Sequence, residues 1–436
     1  MKTIFKFSSS LRILWPSLIL FMHFANSVSN NSTKCYRRFK YTLPSWSKCD
    51  AGRGSNDQTA DFNDKETMRL PRIDPVKIGF IREVQHKDII YTLKTLSLRP
   101  PIFEIQNFLS DDECDMIIEM AKSDGMVTSE TLWSKTDEVL SEGNFRAVFQ
   151  SLDVNNDNGL DYHELTSAVS GIKDIQVDKD DLQEMFQNFG LDFFDDDKVT
   201  FSEFEILVSP DVYEQIKSYL VSLEGRKSSI KSRKSFSTFL DPFTDNHRQE
   251  FFEKLHQRIA KVTQLPIEMI RSSEALQVIK YEVGGHYHAH HDSDDGEYAP
   301  CCHLVSGDEL CRPCRYATMF YYLNEPTKGG GTAFPFADNI TYDISKTTRD
   351  EKYRLNLSDH CDKANLVYMP KKGAALFWYN HVIDDDTGWL GELDEMSSHG
   401  GCDVIQGVKW AANNWFNAVD DRNADLEVWK NYGNAH

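Results

Sequence analysis

The chain has 436 residues with 40% hydrophobic and 12% aromatic side chains, enough apolar surface for more than one folded unit. Lysine and arginine number 48 against 68 aspartates and glutamates, a net charge of −20. That balance excludes a nucleic-acid footprint, which needs clustered basic groups to release the counterions of phosphates.

At the N-terminus Lys2, Lys6 and Arg12 precede an apolar run from Ile13 to Ala25 that contains Pro16 and His23. The run is shorter than the ~20 residues that span a bilayer. A cleaved signal peptide over residues 1–27 is therefore favoured over a signal anchor. Residues 28–99 read as a polar N-terminal segment, which a Cys35–Cys49 bridge would tie down. Entry to the secretory pathway fits the Asn-x-Ser/Thr sequons at Asn30, Asn31, Asn339 and Asn356, of which Asn339 and Asn356 are the expected glycosylation sites. It also fits Cys35, Cys49, Cys114, Cys301, Cys302, Cys311, Cys314, Cys361 and Cys402, an odd set in which Cys114 is the candidate free thiol. Cys301-Cys302 with Cys311-x-x-Cys314 has the spacing of a zinc knuckle, but an oxidising compartment favours disulfides.

Ser110-Asp-Asp-Glu113 is a capping box followed by Met116, Ile117 and Met120 at helical spacing, so a helix opens there. Residues 151–205 then hold 15 acidic residues against 3 lysines. From Glu224 to Ser235 basic residues alternate with serine, which reads as an exposed linker. A second amphipathic helix starts near Thr244, with Phe251, Phe252, Leu255, Ile259 and Val262 on one stripe. Beyond it the period becomes that of strands at Leu276–Glu282, His286–Asp292, Tyr316–Leu323, Ala374–Tyr379, Asp403–Ile405 and Val408–Phe416. Short strands with long loops predict a jelly-roll or barrel-like domain.

The acidic block contains Asp153-Val-Asn155-Asn-Asp157-Asn158-Gly-Leu160-Asp161-Tyr-His-Glu164. Oxygen ligands at loop positions 1, 3, 5, 9 and 12 suit a hard cation of calcium size, and Leu160 at position 8 would join paired loops. Asn158 replaces the usual glycine at position 6, but asparagine also adopts the left-handed turn needed there. A second loop runs from Asp192 through Asp196 to Glu203, with Phe194 where a ligand belongs, so it predicts a weaker or metal-free hand.

The chemistry is expected at His286-Tyr-His288-Ala-His290-His-Asp292. On a strand, His290 and Asp292 share a face and can present an imidazole and a carboxylate to one metal. His288 has the same parity and is the rival to His290. The spacing alone is weak, because His86-Lys-Asp88 and His360-Cys-Asp362 carry it too. Downstream, His399 precedes Gly400-Gly401, and Lys409 follows in an apolar strand with Trp415. Two histidines and a carboxylate leave adjacent positions of an octahedral iron open for a chelating cosubstrate and O2. A buried Lys409 ammonium would then pair with the far carboxylate of a bound oxoacid.

With these motifs in view, the sequence resembles the 2-oxoglutarate- and iron-dependent prolyl 4-hydroxylases, and within them the transmembrane, endoplasmic-reticulum type with EF-hands. The likeness covers roughly residues 100–420. It rests on Tyr281-Glu-Val-Gly-Gly-His-Tyr-His-Ala-His290-His-Asp292, on Arg315-Tyr-Ala-Thr-Met-Phe-Tyr-Tyr-Leu-Asn, and on Gly329-Gly-Gly-Thr-Ala-Phe-Pro. It continues through Pro370-Lys-Lys-Gly373-Ala-Ala-Leu-Phe-Trp-Tyr and His399-Gly-Gly-Cys-Asp-Val-Ile-Gln-Gly-Val-Lys409-Trp-Ala-Ala-Asn-Asn-Trp415-Phe.

The resemblance implies an α+β chain in which a double-stranded β-helix (jelly-roll) dioxygenase domain carries an inserted α-helical EF-hand domain. The dioxygenase domain would start at 100–125, yield to an EF-hand pair at 126–225, and resume at 226–424 before a C-terminal tail at 425–436. His290, Asp292 and His399 would be the iron ligands, with Lys409 and Tyr281 on the cosubstrate and Arg315 and Trp415 lining the peptide site. Asp153, Asn155, Asp157, Asp161 and Glu164 would hold calcium in the first hand, and Asp192, Asp196 and Glu203 would hold it weakly in the second. Fe(II), 2-oxoglutarate, ascorbate and Ca2+ are the implied cofactors, and a proline-containing polypeptide is the implied substrate, hydroxylated as 2-oxoglutarate becomes succinate and CO2. The location implied is the endoplasmic reticulum lumen. The sequence lacks the long cytoplasmic stretch of the animal enzymes, which leaves membrane anchoring open. Two alternatives stand beside this reading. One is a lysyl or other peptide hydroxylase, against which Lys409 argues because the lysyl group meets the cosubstrate with arginine. The other is a calcium-sensing protein with a non-catalytic oxygenase domain, against which the intact charged set argues.

Overall fold

A computed structural model describes residues 68–129, 145–153, 157–173, 175, 177–191, 198–226, 231–293, 301, 314–339, 341 and 355–433. The chain divides into Met1–Arg69 and Leu70–His436, and the architecture below is that of the second unit. Residues 13–25, Cys35 and Cys49 lie outside the described residues. Among those described, no helix is long and apolar enough to cross a membrane.

Ser110 opens the helix Asp111–Asp124 with the capping box its sequence predicts: its side chain accepts from Glu113 N, and the Glu113 carboxylate accepts from Ser110 N at 2.8 Å. Glu113 also takes a two-pronged ion pair from Arg258, which lies on the second predicted helix, Asn246–Thr263. The two helices are thereby stapled together.

The strands expected between 276 and 416 are all present, with ends shifted by at most two residues. They form a jelly roll of two antiparallel sheets. The major sheet has nine strands, in the order Ile81–His86, Ile89–Leu98, Pro101–Ile105, Ala375–Tyr379, Arg315–Tyr322, Lys409–Asn417, Leu276–Tyr281, Phe236–Leu240 and Val127–Thr128. The minor sheet has five, in the order Leu366–Tyr368, Thr332–Phe334, His399–Gly401, His286–His290 and Arg233–Lys234. Buried Phe334 and Trp378, one from each sheet, meet edge to face at 5.2 Å and fill the space between.

Between Thr128 and Arg233 the chain makes a helical excursion. The helices Phe145–Leu152, Tyr162–Lys173, Lys179–Asn188, Phe201–Leu207 and Pro210–Arg226 bury Leu160, Leu165, Met185, Phe186 and Leu220 in a core of their own. Val127–Thr128, before the excursion, pairs with Phe236–Leu240, after it, so the insertion leaves and rejoins the major sheet at adjacent strands.

Three expectations need correction. Residues 28–99 are not polar segment throughout: 81–98 form two strands, in which alternate positions Tyr91, Leu93, Thr95 and Ser97 are buried. Threonine, serine and lysine along that strand disguise a half-buried pattern as a polar one. The tail at 425–436 is largely the helix Arg422–Gly433, which is anchored by the ring contact of Trp429 with Trp389 and by the hydrogen bond from Trp389 Nε1 to Asp425 at 2.7 Å. The linker at 224–235 ends one helix and then becomes the edge strand Arg233–Lys234, with Arg233 and Ser235 buried. The Cys301–Cys314 and Cys361–Cys402 disulfides agree with the expectation of disulfides over a knuckle, and Cys114 is free and buried, as expected. Cys302 and Cys311 lie outside the described residues.

The edge strand is pinned by His286. Its ring nitrogens face the Lys231 carbonyl at 2.6 Å, and the Gly284 carbonyl and Asp403 carboxylate at 3.1 Å, so the imidazolium can donate from both sides. Burial alone would lower its pKa, but these acceptors outweigh burial and raise it. A raised folded-state pKa stabilises below the ordinary histidine value and is lost as pH climbs through the raised one. Urea unfolding of wild type and His286→Gln should therefore show a wild-type advantage near pH ~6 that fades by pH ~9. A difference that is flat with pH would mean that His286 is held as the neutral ring.

Candidate active site

His290 ends its strand opposite His399, and Asp292 follows just past the strand end. One nitrogen from each imidazole and one oxygen of Asp292 all lie within 4.8 Å of one another. His290 Nε2 is 3.7 Å from Asp292 Oδ1, and His399 Nε2 is 3.5 Å from Oδ2.

The groups around this cluster fix its tautomers. His290 Nδ1 lies 2.9 Å from the His288 carbonyl, and His399 Nδ1 lies 2.9 Å from the Ser397 carbonyl. A carbonyl only accepts, so both Nδ1 atoms carry hydrogen and both rings turn Nε2 toward the carboxylate. Burial pushes His399 down to about 4, with His290 acting in the same direction and Asp292 opposing, so the ring is neutral at pH 7. Burial would raise Asp292, but His399, His290 and Arg315 hold it well below the usual carboxylate range. Two Nε2 atoms and a carboxylate oxygen that converge this closely surround a point where a cation can sit. The donor set thus fits a metal that takes two imidazoles and one carboxylate. Thr318 donates to Asp292 Oδ2 at 2.7 Å, Asn380 donates to Thr318 at 2.9 Å, and Trp378 donates to Asn380 at 2.9 Å, a relay that orients the carboxylate.

The rival His288 is placed elsewhere. The pairing shifts by one residue between Tyr287 and His290, and this bulge breaks the alternation that would have put His288 beside His290. His288 Nδ1 instead accepts from Leu357 N at 3.2 Å. Tyr287, which the sequence reading passed over, stacks on His290 with ring centroids 3.6 Å apart, and Arg233 lies 4.6 Å above the Tyr287 ring. A tyrosine three residues before the histidine carries no signal without knowledge of the bulge.

Lys409 is 1% exposed and stands opposite Tyr281 in the register. Its ammonium lies 5.3 Å from the Tyr281 ring, 5.5 Å from Phe320 and 5.8 Å from Tyr322, and no carboxylate pairs with it among the described residues. Burial is the one influence on it and pushes its pKa down to about 7. Burial likewise pushes the Tyr281 phenol up to about 12. Arg315 is held more firmly than expected of a substrate contact: it grips both oxygens of Glu274 at 2.7 Å and donates to the Asp292 carbonyl at 3.1 Å. Its guanidinium lies 3.5 Å over the Trp415 ring.

In the first acidic loop Asp153 accepts from the amides of Asp157 and Asn158, and Asp161 and Glu164 accept from each other's amides. Asn158 has φ +63°, the left-handed turn expected of it. Leu160 pairs with Val199 and so joins the two loops as position 8 predicts. Lys198, from the second loop, reaches Asp157 at 2.6 Å. Glu203 caps its helix through Thr200 N and Oγ1, both at 2.7 Å. Asn155, Asp192 and Asp196 lie outside the described residues.

Comparison with known proteins bears directly on this arrangement. Residues 276–417 match the 2OG-Fe(II) oxygenase superfamily, and residues 144–209 match the EF-hand domain pair. The transmembrane prolyl 4-hydroxylase of Mus musculus is 36% identical over 366 residues, which cover 81% of this chain and 70% of that one. Its counterpart from Homo sapiens is 36% identical over 364 residues with the same coverage. The chain belongs to the transmembrane prolyl 4-hydroxylase family. The probable prolyl 4-hydroxylase 8 of Arabidopsis thaliana is 33% identical over 219 residues, 50% of this chain and 65% of that one. As a member of this family the chain is a 2-oxoglutarate- and iron-dependent dioxygenase, built as a jelly roll with an EF-hand pair.

A buried, unpaired ammonium has a cost that can be measured without ligand. A lysine whose folded-state pKa is lowered destabilises the fold fully below that value, and the penalty shrinks as pH rises toward the ordinary lysine range. Lys409→Met should therefore unfold at higher urea than ligand-free wild type below pH ~7, by roughly 3–5 kcal/mol, with the gap closing toward pH ~10. Equal midpoints throughout would mean that water reaches the ammonium.

Proposed function

We propose that the chain hydroxylates peptidyl proline at C4, and that His290, Asp292 and His399 hold the Fe(II). The observation that carries this reading is the convergence of two imidazole nitrogens and one carboxylate oxygen, together with a buried ammonium that no carboxylate pairs with among the described residues. When bound, iron and 2-oxoglutarate supply the oxidising chemistry, in which the oxoacid becomes succinate and CO2 and each organic product receives one atom of O2. Ascorbate is the supporting reductant.

The chain's own residues bind, orient and shield. Lys409 pairs with the distal carboxylate of 2-oxoglutarate, which removes the penalty of an unpaired buried charge, and Tyr281 lies alongside as a second contact. The backbone carbonyls of His288 and Ser397 keep both Nε2 atoms available, and Thr318 holds Asp292 at its angle. Trp415 contributes the peptide wall, with Arg315 fixing its plane. The cysteine pairs Cys301–Cys314 and Cys361–Cys402 support folding in an oxidising lumen, and we assign the chain to the endoplasmic reticulum. Its relatives' name suggests membrane association, and Asn339 and Asn356 are the proposed glycan sites.

The test is hydroxyproline formation on proline-containing peptide pools, read by mass spectrometry beside succinate release. His290→Ala should lose at least ~100-fold of both, in keeping with loss of a metal ligand, while His288→Ala retains activity. The reverse result would move the metal to the other histidine.

We assign calcium to the first loop, through Asp153, Asn155, Asp157, Asp161 and Glu164, and only weak binding to the second through Asp192, Asp196 and Glu203. Lys198 already neutralises Asp157 and competes with the ion. Isothermal titration should show calcium binding by wild type, tighter binding by Lys198→Ala, and loss of the high-affinity phase in Glu164→Gln. Identical isotherms for wild type and Glu164→Gln would reduce the loop to an acidic surface turn.

A further inference from the structure

The wall of the site continues beyond Trp415. Phe239 lies against Trp415 with ring centroids 6.5 Å apart, and Trp415 lies under the Arg315 guanidinium at 3.5 Å. Arg315 in turn donates to the Asp292 carbonyl, so one unbroken run of contacts leads outward from the metal-binding cluster to Phe239. Strand register explains the alignment. Thr318 stands opposite Trp415, Asn413 opposite Gln277, and Gln277 opposite Phe239. Alternation therefore brings Trp415 and Phe239 out on the same face of the major sheet as Thr318, which reaches Asp292. Trp415 is 7% exposed and Phe239 is 51% exposed, so the run passes from a buried ring to an open one. Trp415 Nε1 is buried with no hydrogen-bond partner among the described residues.

We infer that Phe239 is a contact residue for the polypeptide substrate, receiving the residues that flank the target proline. The inference rests on the peptidyl-proline reading above. A proline-rich segment has few N–H groups and an extended backbone whose carbonyls stand free. Its recognition calls for aromatic surface against the rings and for donors toward the carbonyls. Trp415 and Phe239 supply the aromatic surface. Arg315 cannot serve both ends, because Glu274 and the Asp292 carbonyl already occupy it. The spacing between the Trp415 and Phe239 rings equals about two residues of polyproline helix, so a peptide with one flanking residue on each side of the target stops short of Phe239.

The experiment measures KM and kcat with a long proline-rich peptide and a tripeptide, for wild type, Phe239→Ala and Phe239→Tyr, together with 2-oxoglutarate turnover without peptide. Phe239→Ala should raise KM for the long peptide about five- to tenfold, leave the tripeptide and peptide-free turnover unchanged, and be rescued by Phe239→Tyr. An unchanged KM for the long peptide in Phe239→Ala overturns this inference alone. Equal losses on both peptides without rescue by tyrosine overturn it too, as a purely structural effect. Failure of wild type to hydroxylate any proline peptide overturns both this inference and the reading beneath it.

Discussion

Two short strands, His286–His290 and His399–Gly401, govern the site through the way they pair. His290 stands opposite His399, yet Tyr287 stands opposite Gly401, so one extra residue is absorbed between them. The bulge turns Tyr287 and His290 into stacked neighbours and sends His288 to the backbone of Leu357. Close approach of the strands depends on Gly400, where a Cβ would lie 2.3 Å from the Tyr287 carbonyl. Because the strand ends at His290, Asp292 is free of the pleat and comes to lie within 4 Å of both Nε2 atoms. Thr318, from the opposing sheet, meets it there.

Around that pairing the molecule buries charge, which is expensive unless each charge finds a partner. Arg315 is paired with Glu274, and Asp292 lies between two histidines with Thr318 as donor. Arg258 is paired with Glu113 in the same way, and there the ion pair serves to join two helices. Lys409 differs from all of these. It lies among the rings of Tyr281, Phe320 and Tyr322, and no carboxylate pairs with it among the described residues. That buried ammonium is the charge we propose an anionic guest would compensate.

Features that local chemistry dictates were legible in the sequence. The Ser110–Glu113 capping box, the left-handed Asn158, the Leu160 link between loops and the strands from Leu276 onward follow from residue types and short-range spacing. His290, Asp292, His399 and Lys409 are singled out by the joint match of several motifs to the family, because the His-x-Asp spacing alone also occurs at His86-Lys-Asp88 and His360-Cys-Asp362. What sequence could not supply is what depends on a distant partner. Choosing His290 over His288 requires the bulge, which belongs to the pairing with His399 rather than to either strand. The burial of Trp429 requires Trp389, and the fixing of Arg315 requires Glu274. Strands 81–98 were missed because their buried face includes Thr95 and Ser97 and their exposed positions include Ile89 and Ile90, which inverts the usual contrast.

The most consequential misreading was of the basic, serine-rich run at 224–235, whose composition is that of a solvated linker. Its lysines and arginines are long enough to bury their stems while pairing their heads, and Arg233 does so over the Tyr287 ring, with Nε donating to Ser235 at 2.8 Å. The strand that results closes the edge of the minor sheet, where unpaired backbone groups would otherwise face water beside the site. Lys231 receives His286 and Ser232 receives the His288 amide, while Lys231 also bridges to Ile175 within the EF-hand insertion. The returning arm of the insertion is therefore a structural part of the sheet that presents His290. An EF-hand pair tethered by flexible linkers could come and go without disturbing the oxygenase core. Here its exit strand supplies the surface on which Tyr287, and through it His290, is packed, so the insertion and the site share one piece of backbone.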